Sequence, residues 1–123
     1  MKYIETNKAP KAIGAYAQGV MTNDTLYVSG QLPLEPETMK TVEGIEAQTK
    51  RSLDNILAIV EAAGLKKENI VRCGIFLDDM NEFKEMNEIY GAFFQNHTPA
   101  RAAVEVRRLP KDVKIEIDAI AVK

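Results

Sequence analysis

Cysteine and histidine are almost absent from this chain of 123 residues, which has one of each, Cys73 and His97. A single thiol excludes an internal disulfide, and one thiol with one imidazole cannot assemble a zinc site. No metal is therefore expected. Carboxylates are plentiful, but no acidic loop has the ligand spacing that calcium or magnesium needs. Long apolar runs are missing too, since nothing approaches the roughly 18 residues of a membrane-spanning helix. The opening MKYIETNKAPK lacks the apolar core of a signal peptide. These absences predict a cytoplasmic protein without a membrane partner. Basic charge is not in excess, with 16 Lys and Arg against 18 Asp and Glu, for a net charge of -2. Nucleic-acid binding needs a basic footprint to neutralise phosphates, so it is disfavoured here.

What remains is ordinary globular composition, 46% hydrophobic and 28% charged, in a length typical of one domain. No repeat, low-complexity tract or linker interrupts it, so residues 1–123 are expected to form a single domain. GVMT and TLYVSG flank Asn23-Asp24, which tolerates the positive φ of a tight hairpin. LPLEPETMK, with two prolines, reads as a loop. From about Thr41 the spacing turns helical, with Val42, Ile45, Leu53, Ile56, Leu57, Val60 and Ala63 on one face and Gly64 at a natural stop.

NIVRCGIFL reads as a strand in which Val71, Cys73, Ile75 and Leu77 share a face and Cys73 points to the core. A second helix is predicted from Met80, with Asp79 as N-cap and Glu82 completing a variant capping box. Its stripe is Met80, Phe83, Met86, Tyr90 and Phe94. Two further strands, Arg101 to Val106 and Val113 to Val122, are separated by a turn at Leu-Pro-Lys-Asp. The order predicts an α+β domain, two helices packed on one face of a mixed sheet, to which a short N-terminal segment can add a strand. The last strand, KIEIDAIAV, becomes apolar on both faces from Ala119 to Val122. Something must cover the second face, either another subunit or a loop of the same chain.

A few residues break their local pattern. Arg101 opens a strand of small and β-branched residues and shares its face with Ala103 and Glu105. A guanidinium is always charged, so it needs a carboxylate, supplied either by Glu105 or Glu116 or by a ligand. Asn87 falls in the apolar stripe of the second helix, where a buried amide would tie down a loop or face a cavity. Ser29-Gly30 ends a strand in a way that suits either close backbone approach or a simple bulge. Tyr16, in the glycine-rich IGAYAQG, is a pocket wall or a core cap. Glu116 alternates with Lys114 and Asp118 on a face that could equally be solvated. His97 reads as a turn residue, because no Ser or Cys in a recognisable motif pairs with it.

The blocks IGAYAQG, LYVSGQLPL, NEIYGAFF, PARAAVEV and LPKDVKIEIDAIAV, in that order, resemble the RidA/YjgF family of reactive-intermediate deaminases, and the resemblance covers the whole chain. It implies a chorismate-mutase-like homotrimer with the sheets toward the centre and three sites in the subunit clefts. It further implies hydrolysis of 2-imino and enamine acids, such as 2-iminobutanoate and 2-iminopropanoate, to 2-keto acids and ammonia, the chemistry of metabolite damage control. By position, Arg101 matches the arginine that clamps the substrate carboxylate and Glu116 the acid near the reacting water. Tyr16, Ser29, Gly30 and Asn87 match pocket residues. Ala103 stands where many members have cysteine, and Ala15 where many have proline. Its alanine argues against a thiol mechanism, while a backbone contact to substrate at Ala103 would survive. No cofactor is expected, since a protonated imine is already an electrophile and the enzyme need only hold it, position water and move a proton. Two other readings use the same fold, a small-carboxylate-binding or regulatory protein and an RNA-cleaving one.

Overall fold

Six strands and two helices account for the apolar pattern in the computed structural model, which describes residues 1–123. The strands are β1 (Lys2–Ile4), β2 (Gly19–Thr22), β3 (Thr25–Gln31), β4 (Ile70–Leu77), β5 (Ala100–Glu105) and β6 (Ile115–Val122), and the helices are α1 (Ile45–Ala62) and α2 (Phe83–Phe94). They form one mixed sheet in the order β1-β2-β3-β6-β4-β5. Only β4 and β5 pair in parallel, joined by the crossover through α2; every other pairing is antiparallel. Both helices lie on one face of the sheet, as the sequence pattern predicts. The core between them holds Leu26, Val28, Ile75, Leu77, Ile115 and Ile117 from the sheet, with Leu53, Ile56 and Ile59 of α1 and Met86, Phe93 and Phe94 of α2. None of the helices is long and apolar enough to cross a membrane.

Three local expectations are corrected. First, α1 begins at Ile45 rather than near Thr41, because Thr41 bridges back to Leu34 and the Val42 amide donates to the Pro33 carbonyl. That short antiparallel zip, followed by Gly44 at φ 88, keeps Val42 out of the helix. The other end is as expected: Gly64 takes φ 82, with Gly64 N–H bonded to Glu61 O and Leu65 N–H to Val60 O, a Schellman motif.

Second, β4 shifts register against β6 between Ile70 and Arg72, which turns Ile70 inward with Cys73, Ile75 and Leu77 and leaves Val71 exposed. An extra residue at Val71 breaks the alternation that a regular strand would follow. Third, Met80–Glu82 form a 3₁₀ turn before α2 starts at Phe83. Asp79 does cap it, accepting from Asn81 N–H at 2.9 Å, but Glu82 does not reach back, since its carboxylate meets Lys114 at 3.1 Å instead. Met80 consequently lies outside the buried stripe.

A second irregularity matters for function. β3 slips by one residue against β6 between Val28 and Gln31, pushing Ser29-Gly30 out as a bulge beside Glu116. The inward side chains of β6, Ile115, Ile117, Ala119 and Ala121, are buried, whereas the helix-free face carries Glu116, Asp118, Ile120 and Val122. On that face Tyr3, Tyr27, Val104 and Val122 are exposed, and Val20, Phe76 and Ile120 are half-buried.

Candidate active site: two half-sites on opposite faces

Glu116 projects from the middle of the helix-free face and lies directly over Gly30, where any Cβ would collide with its carboxylate oxygen. Glycine at the bulge thus leaves the carboxylate its place, and any side chain there would push Glu116 aside. The carboxylate lines a hollow of about 740 Å³ with Tyr16, Ser29, Leu32, Met39 and Lys111 among its walls. It makes no salt bridge. Burial, and then the nearby Asp118 carboxylate, raise its pKa above the usual glutamate value.

Tyr16 is half-exposed, with its hydroxyl 3.4 Å from the Ile13 amide, and it divides this hollow from a second one of about 800 Å³ toward Tyr3 and Val20. The Ser29 hydroxyl donates to Ala17 O at 2.6 Å, so it first anchors the Tyr16 loop and keeps only its lone pairs for a ligand. Gln18, buried beneath the same loop, holds it by donating to the Thr6, Ala9 and Pro10 carbonyls.

Arg101 occupies the other face. In parallel register Arg101 stands opposite Cys73 and Ala103 opposite Ile75, both inward-facing positions of β4. Because β5 is an edge strand, the guanidinium emerges over α2. Its carbon lies 4.8 Å from the Tyr90 ring centroid and 5.5 Å from that of Phe83. Its Nη1 donates to Asn87 Oδ1 at 2.6 Å. The alternative of an ion pair is not realised: Arg101 has no carboxylate within salt-bridge range, and Glu105 instead accepts from the Met80 amide at 2.8 Å. Asn87 is exposed rather than buried, so its amide serves the arginine and ties down no loop.

The structure therefore brings together Tyr16, Ser29, Gly30 and Glu116 in one cluster and Asn87, Arg101 and Ala103 in another, separated by the thickness of the sheet. Sequence reasoning placed Asp118 on the strand face of Glu116 but missed Met39 and Lys111 beside it. It placed Phe83 and Tyr90 in the core stripe without seeing that their outer ring faces meet Arg101. The i, i+4, i+7 spacing of Phe83, Asn87 and Tyr90 is the signal that could have found them. His97 is a structural residue, with Nε2 2.6 Å from Ile70 O. Cys73 is sealed behind Arg101 and Tyr90, where burial pushes its thiol up to about 11.

A family model described as Endoribonuclease L-PSP matches residues 6–123. The 2-iminobutanoate/2-iminopropanoate deaminase of Escherichia coli strain K12 is 52% identical over 99% of this chain and 98% of its own length. The protein of the same name from Salmonella typhimurium is equally similar. The crystal structure of the YjgF gene product from E. coli superposes with a TM-score of 0.97 at 52% identity, covering 100% of this chain and 99% of that one. E. coli TdcF with bound serine superposes equally well at 46% identity, with the same coverage of both chains. With its fold, its blocks and nearly its whole length matched in this way, the chain belongs to the RidA/YjgF family.

Proposed function

We propose that this chain hydrolyses 2-imino and enamine acids, among them 2-iminobutanoate and 2-iminopropanoate, to 2-keto acids and ammonia in the cytoplasm, as a homotrimer with its sites between subunits. The observation that carries the reading is a complementary pair of unmatched groups. Arg101 is a guanidinium with no protein carboxylate, and Glu116 is a carboxylate with no cation, held above its usual pKa. They lie on opposite faces of one chain, so a complete site needs Arg101, Asn87 and Ala103 of one copy against Tyr16, Ser29, Gly30 and Glu116 of the next. The exposed apolar face around Tyr3, Tyr27, Val104 and Val122 supports such an assembly. The names of the E. coli and Salmonella relatives support the reaction.

In this reading the guanidinium fork takes the substrate carboxylate with two parallel hydrogen bonds, fixing the imine carbon relative to Glu116. Glu116 accepts a proton from water as its oxygen bonds to that carbon, and the imine π electrons move to nitrogen. The tetrahedral intermediate carries a hydroxyl and an amino group on one carbon. Glu116 returns the proton to nitrogen and then, ionised again, takes the hydroxyl proton as the C–N bond breaks, so that ammonia leaves, the ketone forms, and the proton passes on to ammonia. A carboxylate raised toward neutrality suits this two-way transfer. RNA cleavage, suggested by the family model's name, finds less support in a chain of net charge -2 whose one imidazole has its Nε2 engaged by Ile70 O.

The decisive experiment generates 2-iminobutanoate in situ and follows ammonia release. Acceleration that disappears in Arg101→Ala supports the proposal. Binding of the keto acid without any acceleration would make this a carboxylate-binding protein instead.

A further inference from the structure

We infer that Phe83, Asn87 and Tyr90 form a preformed cradle that fixes the plane of the Arg101 guanidinium before a substrate carboxylate arrives, which makes Phe83 and Tyr90 positioning residues. The inference rests on the reading of Arg101 as the carboxylate clamp and deepens it.

An exposed arginine on an edge strand would ordinarily sample many rotamers and lose that freedom on binding. Here one helical face meets it three times, with ring faces at 4.8 and 5.5 Å and the Asn87 carbonyl at 2.6 Å. Only Nη1 is engaged, and the other donors stay free for a ligand. The chemistry of the cradle explains its composition. Aromatic faces attract the cation without offering hydrogen-bond acceptors, so they steady the fork without competing for it, as a protein carboxylate would.

The ring of Tyr90, rather than its hydroxyl, is the working part. It is 7% exposed and packed against Phe94 at 4.8 Å between centroids. Its hydroxyl, by contrast, is buried against the Cys73 thiol and makes no well-formed hydrogen bond. A residue kept for its phenol would have found a stronger partner than a thiol.

The test measures 2-oxobutanoate binding by calorimetry, with KM and kcat for imine hydrolysis, in Phe83→Leu, Tyr90→Leu and Tyr90→Phe. Mobility of the Arg101 side chain is followed by ¹⁵N relaxation at Nε. Phe83→Leu and Tyr90→Leu are each expected to weaken keto-acid binding and raise KM about tenfold, with faster motion at Nε and a smaller effect on kcat. Tyr90→Phe should rescue all three readouts. Should Tyr90→Leu fail to fold, the half-buried Phe83 decides alone. Folded Leu variants with wild-type affinity and unchanged Nε motion would overturn the cradle. A wild-type protein that binds the keto acid but releases no ammonia would sink the deaminase reading and leave the cradle standing. An Arg101→Ala protein that binds the keto acid normally would remove both.

Discussion

In the sequence Glu116, alternating with Lys114 and Asp118 like a solvated face, was singled out by the family resemblance alone, whereas Arg101, a fixed charge in an apolar strand, was recognisable. Their placement on opposite faces was not, since alternation relates residues along one strand only. The bulges at Ser29-Gly30 and Val71 scramble the relation between strands. Two predictions belong to single residues. Arg101→Lys keeps the charge but loses the fork, and both it and Arg101→Ala should lose about a hundredfold or more in kcat/KM while folding normally, since no protein carboxylate is orphaned. A fully active but destabilised Arg101→Ala would show a structural arginine instead.

Glu116 couples pH to both activity and stability. Its native pKa is raised, so the native state binds more protons than the unfolded chain between the unfolded value and the native one. Stability therefore declines as pH rises through that window, and the ionised side chain weighs against folding above it. Activity runs the opposite way, because the base is lost as pH falls through the native pKa. Glu116→Gln should raise the melting temperature at neutral pH, abolish that pH dependence and slow turnover by about a hundredfold. Unchanged turnover would return Glu116 to the role of a solvated surface residue.

Among elements, the helices were legible from their 3.6-residue spacing and the stop of α1 from Gly64, whereas the start of α1 was hidden by a tertiary contact. The Leu34–Thr41 bridge competes successfully with helix propensity, and nothing local announces it. The segment that includes Leu32, Leu34 and Met39 also walls the Glu116 hollow. It is pinned from α1 by Asn55, fully buried, which donates to Leu32 O at 3.1 Å and Leu34 O at 3.0 Å and accepts from Arg51 Nε. Asn55→Ala orphans two carbonyls and should cost about 2–4 kcal/mol in urea unfolding. It should also raise KM, because the freed loop carries Met39. A loss below about 0.5 kcal/mol would mean that water replaces the amide fully.

For the whole molecule, the sequence from Ala119 to Val122 called for a cover over the second face of the last strand. The structure shows that face as an open, partly apolar sheet surface, with Ile120 paired to the exposed Tyr27. Ile120→Asp should dissociate the assembly and remove activity together, as sedimentation and ammonia release would show; an active monomer would refute shared sites. Subunit mixing is a sharper probe. Arg101→Ala and Glu116→Gln chains, each inactive alone, should regain about a quarter of wild-type activity when unfolded and reassembled in equal amounts. In the proposed trimer each mixed ring would contain one interface with both native halves, and about three rings in four would be mixed. No recovery would place the site within one chain. The sealed position of Cys73 has a consequence of a different kind. With its thiol buried and held largely protonated at neutral pH, a disulfide reagent reaches it only when β4, β5 and α2 part. The chain thus carries its own stopwatch. The labelling rate of this one sulfur, compared with and without a bound keto acid, reads how often the strand bearing the clamp comes away from its helix.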